Sequence, residues 1–272
     1  MTVTGSAPGT LVGAQAPVLE VFASIQGEGR YVGQPQAFVR LRGCPLRCRW
    51  CDTPGSLTLE EGARARIGHG GGARRTAAWA SPFQVATWVL EVEDGAPRTI
   101  SVTGGEPLLW PGFVRALRRY VGPRRVHLET AGAHPEALES VLDAVDHVSL
   151  DLKLPGDLET PVELDGELRE PAPRNSEEWA SVRVRVLRLV QGRDACAKVP
   201  VAGGHAPEDF AALMDDLAQH APDVPCVLQP VTPVAGVPAP DRALLDALIE
   251  AGLERRLDVR LVPQVHRFLG VP

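Results

Sequence analysis

Residues 22–53 read F-A-S-I-Q-G-E-G-R-Y-V-G-Q-P-Q-A-F-V-R-L-R-G-C-P-L-R-C-R-W-C-D-T, and this stretch decides the fold. Cys44, Cys48 and Cys51 stand at C-x3-C-x2-C spacing directly after the strand-like run Gln36–Arg42. Gly43, Pro45, Pro54 and Gly55 surround them, so the three thiols share one loop. Three thiolates on a tight loop suit three irons of a 4Fe–4S cluster. The fourth iron then lacks a protein ligand, and an open metal position marks a catalytic rather than a structural site. A zinc knuckle competes with this reading but needs a fourth ligand at short, fixed spacing. Cys196 and Cys226 are remote and lack a C-x2-C partner, and the nearest histidine, His69, sits in a glycine-rich run. A disulfide plus one free thiol does not suit a chain without secretory features.

On the N-terminal side of the cysteines, Val18–Ala23 and Gln36–Arg42 read as short strands joined by the polar turn Gln26-Gly27-Glu28-Gly29. On the C-terminal side the chain alternates. Strands are expected at Arg98–Val102, Arg125–Glu129, His147–Leu152, Ala195–Val201, Pro225–Leu228 and Asp258–Val262. Helices are expected at Pro82–Glu93, capped by Ser81, and at Gly112–Tyr120, His134–Val145, Pro207–His220 and Asp241–Leu253. Glu177–Val190 carries both signals: Val182, Val184 and Val186 alternate as in a strand, whereas Ser176-Glu177-Glu178 opens like a helix. The βα order favours the helix. Such alternation gives a parallel sheet with right-handed crossovers. The expectation is an α/β fold, a partial (β/α) barrel of about six parallel strands. Cys44, Thr103, Glu129, Asp151 and Gln229 all follow the carboxyl ends of expected strands, the rim where ligands bind in such folds.

The 272 residues, 44% of them apolar, suffice for one sizeable domain. The expected division is an extended or disordered N-terminus over 1–17 and a single domain over 18–272. Two insertions, near 55–79 and 154–174, read as a flexible loop and a surface excursion. A net charge of −6 and the lack of a long basic run argue against a nucleic-acid partner. Met1–Pro17 lacks the charged start and apolar core of a signal peptide, and no apolar run reaches transmembrane length. A cytoplasmic location without a membrane partner is expected, which suits reduced thiols.

The cysteine motif followed by Asp52-Thr53, with T-G-G-E-P at 103–107, resembles the radical S-adenosylmethionine (radical SAM) superfamily. The strings S-I-Q-G-E-G (24–29), F-V-R-L-R-G-C (38–44) and W-C-D-T (50–53) resemble one of its families, the 7-carboxy-7-deazaguanine synthases. This resemblance runs from about Glu20 to the C-terminus and implies the same shortened barrel. It implies a carbon–nitrogen lyase of 7-deazapurine (queuosine-type) biosynthesis that converts 6-carboxy-5,6,7,8-tetrahydropterin to 7-carboxy-7-deazaguanine with loss of ammonia. It also implies that S-adenosylmethionine acts catalytically, its 5′-deoxyadenosyl radical taking a hydrogen from C6 and later returning it.

For the site, the resemblance implies cluster ligation by Cys44, Cys48 and Cys51 and Mg2+ ligation by Thr53, which the residues alone read equally well as a turn cap. S-adenosylmethionine would be lined by Trp50, Gly104, Gly105, Glu106, Ser149, Leu150, Asp151 and Gln229, with Glu106 accepting from its ammonium. The pterin would meet Ile25, Gln26, Gly27, Glu28, Arg40, Thr103, His266 and the terminal carboxylate of Pro272. Leu269 and Val271 are expected to anchor that tail by burial. A homodimer and an electron donor such as a flavodoxin or ferredoxin are implied as well.

Cys196 and Cys226 lie in apolar strands and read as inert core thiols. His127 and His147 read as packing or surface residues, and Arg118 and Arg119 as a solvated helix face. Two alternatives stand beside this reading: a glycyl-radical activating enzyme, and a non-enzymatic iron–sulfur or zinc-binding protein. The first needs a partner-binding surface rather than a small-molecule loop. The second has no need for Gly-Gly-Glu, Asp151 and Gln229 at successive strand ends.

Overall fold

The computed structural model describes residues 14–168, 170–234 and 236–272. Most of the expected N-terminal segment, residues 1–13, lies outside them. In chain order the first strands are β1 (Ala16–Ile25), β2 (Pro35–Leu41), β3 (Arg47–Cys48), β4 (Arg64–Ile67), β5 (Arg74–Ala77) and β6 (Trp79–Ala80). Then follow α1 (Pro82–Val92), β7 (Thr99–Gly104), α2 (Pro111–Leu117), β8 (Val126–Thr130), α3 (Pro135–Val141), β9 (His147–Asp151) and β10 (Leu158–Glu159). The chain closes with α4 (Ser176–Val190), β11 (Ala195–Val201), α5 (Ala211–His220), β12 (Cys226–Pro230), α6 (Arg242–Glu254), β13 (Val259–Leu261) and α7 (Val265–Leu269).

Helix starts follow local chemistry. Ser81 and Gln84 form a reciprocal capping box on α1, with Pro82 at its first turn. The Asn175 side chain accepts from Glu178 N–H at 2.9 Å, and this cap resolves the ambiguous Glu177–Val190 run as α4. Asp241 caps α6 through Leu244 N–H at 2.8 Å.

The main sheet runs β13-β12-β11-β9-β8-β7-β2-β1-β4-β5. From β2 to β13 every neighbouring pair is parallel, so the parallel part has seven strands among the described residues, close to the expected six. β1 joins β2 antiparallel, and among the described residues the two ends of the order do not pair and leave the barrel open. Helices α1 to α6 pack beside one another in chain order. Alternate strand residues, such as Ile100, Val102, Leu128, Val148 and Leu150, are buried in one apolar core with Phe113, Leu117, Leu138 and Leu187 of the helices.

The opposite face of the same strands is polar: Gln36 and Arg40, Ser101 and Thr103, His127 and Glu129, His147, Ser149 and Asp151, Cys196 and Lys198. The sheet curls around this face. Five inter-strand steps separate β1 from β11, about 24 Å if the sheet were flat. Yet Lys198 Nζ, on β11, lies 2.9 Å from Glu28 Oε2, just past β1.

The stretch 55–79 corrects the expectation of a flexible insertion. β4 pairs parallel to β1 and antiparallel to β5, and β6 pairs with β1, so it widens the sheet at its edge. Ala65 and Ile67 of β4 are buried, which anchors the hairpin. The 154–174 segment is likewise more than a surface excursion: β10 pairs with β3 inside the cysteine loop, and Leu154, Asp157 and Ala172 are buried.

Candidate active site

A cavity of about 410 Å³ opens at the carboxyl ends of the strands. All three cysteines of the loop line it, as free thiols. The loop rests on the turn after β7. Gly105 N–H donates to Leu41 O at 3.1 Å, and Glu106 N–H to Gly43 O at 2.8 Å. A Cβ on Gly105 would collide with the backbone of Gly43, so glycine there permits the close approach that sets the cysteine loop. The Cys44 thiol is pushed up to about 12 by burial and then by the nearby Glu106 carboxylate, and burial also raises Cys48. Thiolates there call for a strongly cationic partner, which an iron–sulfur cluster provides.

Among the residues expected at the cofactor, Trp50, Gly104, Gly105, Asp151 and Gln229 line the cavity. Trp50 Nε1 and Gln229 Oε1, on two residues that line the cavity, are buried without a hydrogen-bond partner among the described residues and are free to meet a ligand there. Three expected residues do not face the cavity. Glu106 turns inward: Oε1 accepts from Leu108 N–H at 3.0 Å and Thr130 Oγ1 at 2.7 Å, and Oε2 from Ala131 N–H at 2.9 Å. It has no exposed surface, so its geometry makes it a buried brace for the turn rather than an acceptor for an incoming ammonium. Leu150 points to the helices by strand alternation and packs in the core. Ser149 points inward but lies deeper, its hydroxyl 2.8 Å from His127 Nε2 and 3.3 Å from Cys196 Sγ.

The residues expected at the pterin come together. Ile25, Gln26, Gly27, Glu28, Arg40, Thr103, His266 and Pro272 all line the same cavity. Gln26 Nε2 donates to Glu129 Oε1 at 2.8 Å, and Glu28 N–H donates to Gln26 Oε1 at 3.2 Å. Burial would raise the pKa of Glu28, but the Lys198 ammonium, with Gln264 and Gln229, holds its carboxyl down at about 2. Arg40 pairs with Glu20 at 2.9 Å and stacks over Phe22, while its NH1 lies 3.5 Å from Thr53 Oγ1. Thr53 Oγ1 donates to Asp52 Oδ1 at 3.0 Å. Two oxygens side by side suit a hard cation, which prefers oxygen ligands.

The C-terminal tail folds back over β1. Val265 N–H donates to Gly27 O at 2.9 Å, and Ser24 Oγ donates to Pro272 O at 2.8 Å. The His266 ring lies where a side chain on residue 27 would be, so Gly27 is the only residue type that admits it. The expected apolar anchor is absent: Leu269 is 53% and Val271 37% exposed. Polar contacts hold the tail instead. Gln264 Nε2 donates to Glu28 Oε1 at 2.9 Å and to Asp52 Oδ2 at 3.0 Å, while its Oε1 accepts from Thr232 Oγ1 at 2.6 Å. Arg267 reaches Asp52 at 3.5 Å.

Sequence reasoning missed several lining residues: Glu20, Lys153, Lys198 and Gln264, and it placed Glu129 only at the rim. Lys153 pairs with Asp151 at 2.9 Å and sits 4.6 Å from the centre of the Trp50 ring. Lys198 lies 3.0 Å from Asp151 Oδ1 as an ion contact and 3.9 Å from Glu129 Oε2. Burial opposes the charge on both lysines, yet the surrounding carboxylates raise their pKa values and keep them cationic. The signal lay in Ala195–Val201: a lysine at mid-strand in an otherwise apolar run. Below the cavity, His127 and His147 are buried with pKa values lowered first by burial, and His147 Nδ1 lies 2.9 Å from Asp194 Oδ1.

The sequence pattern of the Radical SAM superfamily matches residues 38–217. The chain is 30% identical over 264 residues to the 7-carboxy-7-deazaguanine synthase of Methanothermobacter thermautotrophicus, covering 94% of this chain and 98% of that protein. It is 31% identical over 267 residues to the synthase of Geobacter sulfurreducens, covering 94% and 97%. Against the synthase of Methanopyrus kandleri it is 33% identical over 257 residues, covering 93% and 92%. Among solved structures, the fold is similar to QueE from Escherichia coli, with a TM-score of 0.58 at 22% identity, covering 93% of this chain and 96% of that one. It is also similar to a radical SAM methyltransferase from Sphaerobacter thermophilus, with a TM-score of 0.56 at 12% identity, covering 90% and 77%.

Proposed function

The chain belongs to the radical SAM superfamily and, within it, to the 7-carboxy-7-deazaguanine synthases, and on that premise we propose that its cavity converts 6-carboxy-5,6,7,8-tetrahydropterin to 7-carboxy-7-deazaguanine with loss of ammonia. One observation carries the reading: the cysteine loop, the Gln26–Glu28 turn, Asp151, Gln229 and the tail at His266–Pro272, remote in sequence, line one cavity. When bound, a 4Fe–4S cluster and S-adenosylmethionine supply a 5′-deoxyadenosyl radical.

The chain's own residues supply position and shielding. Cys44, Cys48 and Cys51 would hold the cluster, and the unpaired Trp50 Nε1 and Gln229 Oε1 would meet S-adenosylmethionine. Glu28, kept anionic, accepts N–H groups of the pterin amidine edge, and charge-assisted bonds of this kind are strong and directional. Arg40 and Thr53 flank the place of the substrate carboxylate, where Thr53 is the proposed Mg2+ ligand and Asp52 lies beside it. Thr103 and the tail, including Pro272, complete the walls and exclude water. The same reading includes a flavodoxin- or ferredoxin-type electron donor, a homodimer and a cytoplasmic location. Among the described residues no helix is long and apolar enough to cross a membrane.

The test is anaerobic reconstitution with iron and sulfide, then assay of 5′-deoxyadenosine with S-adenosylmethionine and a reductant, with and without the pterin. Pterin-dependent turnover to 7-carboxy-7-deazaguanine is expected. Turnover that requires a partner protein instead of the pterin would favour the activating-enzyme alternative and overturn the proposal.

A further inference from the structure

Lys198 is the one buried cation in contact with both halves of the cavity among the described residues. Its side chain is 5% exposed, and its ammonium lies 2.9 Å from Glu28 Oε2, on the pterin side, and 3.0 Å from Asp151 Oδ1, on the cofactor side. Glu129 Oε2 follows at 3.9 Å. The two main partners are unequally dependent on it. Asp151 has a second cation, Lys153, at 2.9 Å. Among the described residues, Glu28 has only neutral hydrogen-bond partners besides Lys198, chiefly Gln264 at 2.9 Å.

We propose that Lys198 is a positioning residue that keeps the Glu28 carboxylate ionised and aimed at the pterin edge, and that this makes pterin affinity, more than cofactor affinity, depend on it. The inference rests on the reading of Glu28 as a pterin contact. Removing the ammonium leaves a carboxylate that is only 16% exposed, with neutral hydrogen-bond partners and the like charge of Asp151 nearby, and both burial and that charge then favour its protonated form. A protonated Glu28 loses half its acceptor capacity and donates where the amidine edge also donates. The other groups facing Glu28 do not replace the lysine. Burial, the largest influence on the His266 ring, lowers its pKa, Asp52 and Asp151 are acidic, and Arg40 is engaged with Glu20. Around Lys198 itself stand Asp151, Glu129, Lys153 and the buried His127.

The test uses the reconstituted full-length enzyme and measures equilibrium affinity for 6-carboxytetrahydropterin and, separately, for S-adenosylmethionine, from about pH 6 to about pH 8.5. Wild type and Lys198→Arg should show little pH dependence from this group. Lys198→Met should bind the pterin at least about tenfold more weakly at the acid end and recover part of that loss as pH rises, because Glu28 then titrates in this range. Its loss of S-adenosylmethionine affinity should be smaller, since Asp151 keeps Lys153. In the Glu28→Gln background, Lys198→Met should add less than about a twofold loss and no pH dependence. Equal losses in both backgrounds, or a pH-flat Lys198→Met, would overturn the proposal. So would failure of Lys198→Met to fold in both backgrounds, which would make the lysine a folding residue. If wild type binds and turns over the pterin while these arms fail, only the role of Lys198 falls. If wild type does not use the pterin, the functional reading falls first.

Discussion

Gln264 Nε2 lies 2.9 Å from Glu28 Oε1, joining two residues 236 positions apart. The same nitrogen reaches Asp52 Oδ2 at 3.0 Å, so one amide ties the start of the tail to both the pterin turn and the cluster loop. Hydrogen bonds to charged groups contribute about 1.5–3 kcal/mol each. Gln264→Ala should therefore raise the pterin KM by about tenfold or more while cluster content stays at the wild-type level. Steady-state kinetics at matched iron content measure this, and an unchanged KM would mean that the tail is placed by its backbone alone.

The cysteines should divide into two classes. Cys44, Cys48 and Cys51 line the cavity, whereas Cys196 and Cys226 are fully buried in β11 and β12. Replacing any of the first three by Ala should abolish the cluster's visible absorption and all 5′-deoxyadenosine formation. Cys196→Ala and Cys226→Ala should keep the cluster, at a cost in stability from the cavity each leaves. Loss of absorption in Cys196→Ala with retention in Cys48→Ala would reverse the ligand assignment.

Thr53 should report on magnesium. Thr53→Ala removes one of two adjacent oxygens but leaves Arg40 paired with Glu20. Product formation should fall and lose its Mg2+ dependence while S-adenosylmethionine binding persists. A rate and Mg2+ profile like wild type would take Thr53 out of the site.

Much of this arrangement could be read before the fold was known, and the exceptions have physical causes. The cysteine spacing and the Gln26–Glu28 turn are local patterns, legible without the fold, and their residues line the cavity. Strand ends follow from alternation of elements, which located Thr103, Asp151 and Gln229. Lys198 and Gln264 escaped because their importance comes from contacts with Glu28 across the curled sheet, which no local pattern contains. Glu106 was assigned by motif, but motif position does not tell which way a side chain turns; three protein donors draw it inward. The β4–β5 hairpin was hidden because Arg74–Ala77 is a polar edge strand with little alternation, stabilised by pairing with β4 rather than by its own sequence. Leu269 and Val271 misled because apolar character was equated with burial, whereas the tail is held by polar contacts.

Acid stability should report on the far end of the barrel. Asp194 accepts from Tyr31 at 2.5 Å and contacts Arg125 and His147. Burial would raise its pKa, but these three partners together lower it from 3.8 to about 2. A depressed carboxyl stabilises the fold above its unfolded pKa, and that contribution fades as pH falls through the folded value. Because Asp194 and Arg125 are partly solvated, screening cuts this to roughly 1 kcal/mol, which should be lost between about pH 4 and pH 2, and Asp194→Asn should flatten this part of the profile. Denaturant unfolding of the apoprotein at several pH values measures it. An identical slope in the variant would assign the acid sensitivity to other groups.

The tail makes a prediction about tags. Pro272 lines the cavity, and its oxygen accepts from Ser24 Oγ at 2.8 Å. A peptide extension after Pro272 adds bulk there. Turnover of the C-terminally tagged protein should fall severely, and that of an N-terminally tagged protein should not. Equal turnover at matched cluster content would place the chain end outside the working site.

The central claim is that one cavity holds the cluster, S-adenosylmethionine and the pterin and carries out the ring contraction. The most direct measurement is the stoichiometry of products from the reconstituted enzyme supplied with S-adenosylmethionine, Mg2+, a reductant and 6-carboxytetrahydropterin. The expected result is one ammonia for each 7-carboxy-7-deazaguanine, with many turnovers for each S-adenosylmethionine consumed. Cleavage of S-adenosylmethionine with neither ammonia nor 7-carboxy-7-deazaguanine, from protein with a full cluster, would contradict it.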